Sequence, residues 1–209
     1  MTPILYWAAA LVAVTLLSPV LRLLIAALAG KQIGQKALAK QPDTIRLERR
    51  DLSAWKQPAA LRARMDPLLT RGFADAGIHA VGEMPGLVIQ LLANAREGFY
   101  AAIYEHPRAG HWLDIYSHYQ DGTSATFTTA RPHGIAPRPG HLSIHCQGVD
   151  ASSVLDRALA QRPRQAVKPV SIDHAAPVFE RAYAEGVAYR KGVGISRGEV
   201  VKTALRRAA

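Results

Sequence analysis

The chain has 209 residues, a formal net charge of +10, and 49% hydrophobic and 20% charged residues. This composition excludes a collagen-like, coiled-coil or largely disordered protein, and the length allows one domain with a buried core beside a terminal segment. The positive charge favours association with an anionic surface, which for a protein is either lipid headgroups or nucleic acid.

Residues 1–29 predict a transmembrane anchor, with its apolar segment over residues 3–29. Residues 3–21 carry no charged side chain, and a span needs about 20 apolar residues to cross the hydrocarbon core. Arg22 interrupts the run, so the span either ends near residue 21 or continues tilted to residue 29 with Arg22 directed to the headgroups. Tyr6 and Trp7 occur where an interfacial aromatic belt is expected.

A cleaved secretory signal is the alternative for this segment. Residues 27–29 read Ala-Leu-Ala, which matches the small-residue pattern of a cleavage site. The absence of Lys or Arg before the apolar run, together with the length of that run, favours an uncleaved anchor.

The distribution of charge around the anchor predicts its orientation. No Lys or Arg precedes the apolar run, whereas Lys31, Lys36, Lys40 and Arg46 follow it. By the positive-inside rule, the N-terminus faces outward and the domain faces the cytoplasm, beside anionic headgroups of a bacterial inner membrane. The single cysteine, Cys146, cannot form an internal disulfide, which is consistent with a reducing compartment.

Residues 30–52 predict a basic stalk and connector, and residues 53–209 predict one cytoplasmic α+β domain. Pro58 opens a helix over residues 58–76, in which apolar side chains recur every three and four positions and Gly77 is the expected C-cap. From residue 78 the apolar period changes to two, which predicts strands at residues 78–82, 86–92, 98–106, 111–119, 124–129 and 141–146. Tight turns join most of them, so we expect an antiparallel β-meander flanked by helices.

Helices are predicted again after residue 148. The first ends near residue 160, the second covers residues 176–191, and the third starts at a capping box over residues 196–199. The fold class is therefore α+β, with an N-terminal transmembrane helix followed by this single domain.

Strand alternation separates the sheet residues into an apolar face and a face rich in aromatic and histidine side chains. Each side chain of the second face combines an apolar body with a polar tip, which suits contact with a ligand or a protein partner. An ordinary solvated or helix-covered face is the alternative, because Tyr and Thr fit strands in general. The predicted contact residues are Tyr100, Tyr104, His106, Trp112, Asp114, Tyr116, His118, Thr126 and His145.

No motif in the sequence predicts a reaction. Most of the histidines fall between His106 and His145, but no H-E-x-x-H pair or Cys cluster accompanies them, so neither a metal nor another cofactor is expected. Walker A, G-x-G-x-x-G and G-x-S-x-G motifs are absent as well. We therefore expect a non-enzymatic binding or accessory role, in which the domain docks a protein partner or a membrane complex.

An enzyme is the first alternative to this role. It would require four side chains of the polar sheet face to converge on a cleft, where a His/Asp cluster could transfer protons. The four residues are His106, His118, Asp114 and His145.

The C-terminal segment resembles the end of ribbon-helix-helix DNA-binding proteins. Residues 170–172 (Val-Ser-Ile) precede a helix, and residues 194–206 read GISRGEVVKTALR, similar to the I-S-R-x-E start of the second helix in that family. The resemblance implies a short strand, two helices and DNA binding as a second alternative. A helix pair packed on the meander accounts for the same residues, so nucleic acid is not the expected partner.

Overall fold

The computed structural model describes residues 32, 34–36, 38–132 and 136–208. The chain divides into two compact units, and the larger one comprises Pro42–Arg131 and Pro137–Tyr189. The described part of the smaller unit contains the end of one long helix and the C-terminal helix that follows it. The sheet belongs to the larger unit.

The sheet has seven strands arranged in chain order. Neighbouring strands are antiparallel from the first to the sixth, and the last pair is parallel. The strands are β1 (Leu47–Arg50), β2 (Ala74–Val81), β3 (Val88–Asn94), β4 (Phe99–His106), β5 (Gly110–His118), β6 (Ser124–Thr128) and β7 (His141–His145).

The α+β class with a central sheet is confirmed, but the sheet is mixed and not a pure meander. Tight turns fold β2 to β6 into antiparallel neighbours, as the alternation predicts. The connection of residues 129–140 is too long to be a tight turn, and β7 begins beside the first residue of β6. β7 therefore runs parallel to β6.

Four α-helices with defined bounds occur in the described part of the chain, and the last of them belongs to the smaller unit. They are α1 (Pro58–Thr70), α2 (Ala151–Gln161), α3 (Ala175–Val193) and α4 (Arg197–Ala208).

The first helix ends earlier than its sequence pattern predicts. Gly72 adopts φ of +87°, and the amide of Phe73 donates to the carbonyl of Leu68 while the amide of Gly72 donates to that of Leu69. These bonds form a Schellman motif, which terminates α1. The prediction that the helix continues to residue 76 is wrong, because β2 already begins at Ala74.

The sheet separates two apolar cores. On one face, buried side chains of the central strands, among them Phe99, Ile103 and Phe127, pack against α1 and α2. On the opposite face, Tyr100, Tyr104 and Tyr116 pack with Val170 and the first part of α3. Strand alternation therefore separates the two sets of residues as the sequence predicts.

The polar sheet face lies under α3 because α3 is attached to the first strand. The amide of Leu47 donates to Oε1 of Glu180 (2.6 Å), and the hydroxyl of Tyr183 donates to the carbonyl of Pro42 (3.1 Å). The face is therefore partly covered by a helix of the same chain.

Two sequence predictions bear on the ends of the chain. Among the described residues, no helix combines the length and the apolar character that a membrane span requires. The anchor predicted over residues 3–29, with Tyr6, Trp7 and Arg22, lies outside the described residues.

The strand that a ribbon-helix-helix module requires does not form. Residues 170–172 have no strand conformation, and the side chain of Val170 is buried in the core beneath α3. The first part of α3, which follows this segment, packs on the sheet.

Candidate functional site

A cavity of about 970 Å³ lies between the polar face of β4–β6 and the first part of α3. Residues 168–170, which connect the helices, line it together with side chains of residues 174–186. The lining residues all belong to the larger unit. Strand pairing places the residues of β5 in successive rows with their neighbours on β4 and β6.

The row nearest the β4–β5 turn is aromatic. Tyr104 pairs with Trp112 across the two strands, and their rings stack with centroids 4.4 Å apart and 9° between planes. Phe179 of α3 lies over Tyr104 in a tilted arrangement with centroids 6.1 Å apart. This end of the cavity presents flat apolar surfaces to any bound molecule.

Asp114 occupies the next row, between Ala102 and Thr128. Its Oδ1 atom is buried and has no hydrogen-bond partner among the described residues. Burial raises the pKa of the Asp114 carboxyl to about 6, because its effect exceeds the opposing effects of the Thr128 and Tyr104 hydroxyls and of His145.

Two further polar atoms of β5 are buried without a hydrogen-bond partner in the described structure. They are the Tyr116 hydroxyl and Nε2 of His118. The Tyr116 ring is only 7% exposed and stacks on Tyr100 with centroids 5.8 Å apart. Since residues 114, 116 and 118 alternate along one strand, the three unpartnered groups lie on one sheet face, and each residue lines the cavity.

The row of His118 contains Ser124 and His141, and the Ser124 hydroxyl lies 2.7 Å from Nδ1 of His141. The pKa of His118 is lowered by burial and then by the nearby charge of Lys168, with smaller contributions from other groups. The pKa of His141 is lowered by burial and by Arg138, against the opposing charge of Glu185. Both imidazoles are therefore neutral near neutral pH and can donate or accept one hydrogen bond at each nitrogen.

Cationic side chains surround this last row. Lys168 and Arg181 line the cavity, are exposed at its rim, and form no salt bridge with another described residue. Arg138 also lines it and pairs with Glu185 at 3.4 Å. The cavity is therefore aromatic at one end and positively charged at the other.

The structure brings most of the predicted contact residues to this cavity. Trp112 stacks beside the cavity on Tyr104. The residues that line it are Tyr100, Tyr104, Asp114, Tyr116, His118 and Thr126.

The remaining two predicted residues do not line the cavity, although His145 lies in the same row as Asp114, across Thr128. Nδ1 of His106 accepts hydrogen bonds from the amides of Arg108 (3.2 Å) and Ala109 (3.1 Å) in the β4–β5 turn. Nδ1 of His145 lies 2.9 Å from the carbonyl of Ala130. Of the four residues that an enzyme would require, only Asp114 and His118 therefore line the cavity.

Sequence reasoning did not assign the cationic rim, because its residues come from distant parts of the chain. Lys168 belongs to the connection after α2, and Arg181 belongs to α3. The sequence did contain an indication that α3 covers the sheet. A helix that presents Phe179 and Tyr183 on one face needs an apolar surface to pack against.

A second polar cluster lies on the opposite sheet face. The Glu105 carboxylate accepts hydrogen bonds from the amides of Lys56 (2.7 Å) and Gln57 (3.1 Å) and lies 2.9 Å from Nε2 of His111. The His111 ring stacks on Trp55. Glu105 thereby fixes the start of α1 to the sheet, which is a structural role.

In the described part of the chain, no group of three or more His, Cys, Asp or Glu side chains is arranged to hold a metal ion. Comparison with protein-family models, with curated proteins and with solved structures yields no match. The function is therefore argued from the geometry of the cavity.

Proposed function

We propose that this protein is a membrane-tethered, non-enzymatic binding protein that holds a small organic molecule in the cavity between β4–β6 and α3. The observation that carries the proposal is the set of three buried, unpartnered polar atoms on β5, at Asp114, Tyr116 and His118. The sequence predicts that the aromatic and histidine-rich sheet face docks a protein partner or a membrane complex; the proposal keeps a binding role for this face and assigns it a small molecule instead.

Unpartnered polar atoms support a ligand because they are costly in a folded protein. A buried group without a hydrogen bond costs about 1–3 kcal/mol, and the large majority of such groups have a partner. Three of them in one cavity are accounted for if a ligand supplies the missing partners. The cavity volume of about 970 Å³ falls in the range of small-molecule sites.

A small ligand fits this face better than a protein partner does. Tyr100, Tyr104 and Tyr116 are all less than a tenth exposed, and α3 packs over them. A protein could dock on these side chains only after α3 had left the sheet, which would expose the second apolar core.

A binding role agrees with the arrangement of the titratable groups. Ser124 and His141 are in contact, but no other described side chain is hydrogen bonded to the remaining nitrogen of that imidazole. A serine nucleophile acts with a base that a third group orients. Asp114 lies two rows away from this pair along β5 and so cannot orient His141.

The tether is the second part of the proposal. Residues 3–29 are apolar enough to cross the bilayer, and the basic residues that follow them favour the cytoplasmic leaflet. In this arrangement the domain would bind its ligand next to the inner membrane of a bacterium.

The proposal is tested by purifying the full chain from membranes in a non-ionic detergent and identifying small molecules that co-purify, by native mass spectrometry. We expect one compound in stoichiometric amount with the natural chain and its loss from Ala182→Trp, whose side chain would fill the cavity. Ala188→Trp is the matched control, because Ala188 is exposed on the same helix and does not line the cavity.

Thermal unfolding of both variants shows whether each is folded. Loss of the compound from a folded Ala182→Trp, and its retention in Ala188→Trp, would support the proposal. Equal amounts in both variants, or no compound with the natural chain, would contradict it.

A further inference from the structure

We infer that the ligand is an elongated organic anion with a hydrogen-bond donor at the end opposite its charge, lying along β5 from Asp114 to the row of His118. This inference rests on the proposed binding function and specifies the chemistry of the bound molecule. Four observations carry it: the spacing of the unpartnered groups, the buried acceptor, the cationic rim and the aromatic walls.

The spacing of the unpartnered groups sets the length of the ligand. A strand rises about 3.3 Å per residue, so four residues separate Asp114 from His118 by about 13 Å. Tyr116 lies halfway between them on the same face. One molecule that satisfies all three groups must therefore be extended along the strand and not compact.

The inner end of the ligand must donate a hydrogen bond. Oδ1 of Asp114 is buried and unpartnered, and an ionised carboxylate only accepts hydrogen bonds. A hydroxyl or an ammonium group placed there would supply the missing donor. An ether or a second carboxylate at this position would leave Oδ1 without a partner.

The outer end of the ligand must be negatively charged. Lys168, Arg181 and Arg138 line the rim, against the single carboxylate of Glu185. Arg138 is engaged by Glu185, which leaves Lys168 and Arg181 to attract an anion. Charge-assisted hydrogen bonds from such groups hold carboxylates and phosphates well, with Nε2 of His118 as a further polar partner.

The body of the ligand must be flat and largely apolar, with one polar atom opposite the unpartnered Tyr116 hydroxyl. The stacked rings of Tyr100 and Tyr116 form one wall of the cavity, and Val178 and Phe179 of α3 line the opposite one. Aromatic side chains in this arrangement favour a ring or a conjugated chain by stacking.

The probe for the test is a biphenyl that carries a hydroxyl and a carboxylate at its two para ends. One control replaces the hydroxyl with a methoxy group and the other lacks the carboxylate. Binding of each compound to the full chain is measured by isothermal titration calorimetry in non-ionic detergent, after subtraction of a detergent blank. We expect each control to bind about tenfold more weakly than the hydroxy acid, since each leaves one polar end unsatisfied.

Variants assign the two ends to the proposed residues. Asp114→Ala should abolish the preference for the hydroxyl over the methoxy compound, and Asp114→Asn shows whether a conservative change keeps the fold. Arg181→Gln should weaken both acids and leave the neutral phenol unaffected. Arg164→Gln is its matched control, because Arg164 is exposed and does not line the cavity.

Four outcomes would overturn the inference. Equal affinity for the hydroxyl and methoxy acids would contradict a hydrogen-bond donor at the Asp114 end of the ligand. Equal affinity for the acid and the neutral phenol would contradict a negative charge at the opposite end. If none of the biphenyls binds while a compound still co-purifies with the natural chain and not with Ala182→Trp, the inference fails and the binding function stands. If no compound co-purifies either, both fail.

Discussion

The buried carboxyl group of Asp114 favours ligand binding but lowers the stability of the folded chain. This group is largely buried on β5, and Oδ1 has no hydrogen-bond partner in the described structure. A group in this position lowers the stability of the folded chain but offers a ligand a strong acceptor away from water. Functional sites often retain such costly groups.

The pKa of Asp114 leads to a prediction about stability. Because the pKa is about 6 in the folded chain and 3.8 in the reference state, the folded chain binds the proton more tightly, and stability decreases as pH rises through this interval. Asp114→Asn removes this effect, so we expect the free energy of unfolding to increase by about 1–3 kcal/mol at about pH 8 and to change little near pH 4.

Denaturation of the ligand-free protein at both pH values measures this difference. Asp66→Asn is the control, because Asp66 is exposed on α1. A stabilisation that is equal at the two pH values would contradict the assignment to Asp114 ionisation.

Glu105 has the opposite effect on stability. Burial raises its pKa, but hydrogen bonds from the Lys56 amide, from His111 and from the Gln57 amide outweigh burial and lower it overall. The folded pKa is below the usual value of 4.5, so this carboxylate stabilises the fold above that pH, and the stabilisation is lost as pH falls through the folded pKa.

Glu105→Gln should therefore lower the free energy of unfolding by about 1–3 kcal/mol at neutral pH, since charge-assisted bonds to the start of α1 are lost. Denaturation of Glu48→Gln provides the comparison. Glu48 pairs with Arg50 at the exposed surface, and such pairs contribute at most about 1 kcal/mol. Similar losses in both variants would show that Glu105 does not hold the helix.

At the scale of elements, the cavity depends on the connection between α2 and α3. The amide of Gln120 donates to the carbonyl of Ala166, and the amide of Lys168 donates to the carbonyl of His118, both at 2.8 Å. Val167 thereby pairs with Tyr119 in an isolated bridge. These bonds hold the connection at the sheet, and Lys168 is placed at the rim of the cavity as a result.

Gly98, at the β3–β4 turn, makes this position of the connection possible. It adopts φ of +70°, and a Cβ atom there would lie 2.8 Å from Cγ1 of Val167. Gly98→Ala should destabilise the fold through both backbone strain and this clash. Gly122→Ala shares the backbone strain, with φ of +85°, but has no neighbouring atom within 4 Å.

We expect the loss of stability in Gly98→Ala to exceed that in Gly122→Ala by at least about 1 kcal/mol, which is the contribution of overpacking. Thermal or chemical denaturation of the two variants measures the difference. Equal losses would mean that Val167 moves without cost and that the connection is not held tightly.

At the scale of the whole molecule, the proposed anchor predicts where the protein resides. The full chain should remain in the membrane fraction after alkaline carbonate extraction, and removal of residues 1–29 should release the domain, because the apolar run provides the span.

Protease treatment tests the orientation. The domain should be protected in spheroplasts and digested in inverted vesicles, with a periplasmic protein as the control for access. Digestion of the domain in intact spheroplasts would contradict the cytoplasmic orientation.

Much of the sheet could be predicted from the sequence because alternation is a local property. Side chains two positions apart in a strand lie on the same face of the sheet, independently of the rest of the chain. Residues 99–128 therefore separate into two faces as expected, and the polar face contains Tyr100, Asp114, Tyr116 and His118.

The site itself was decided by contacts between distant segments. α3 packs on the polar face because its aromatic side chains and those of the sheet bury each other, a gain in free energy that no local pattern reports. The direction of β7, the burial of Oδ1 of Asp114 and the cationic rim all follow from such contacts. The amino-acid sequence by itself thus determined which residues share the face, whereas the tertiary structure alone decided that this face encloses a cavity.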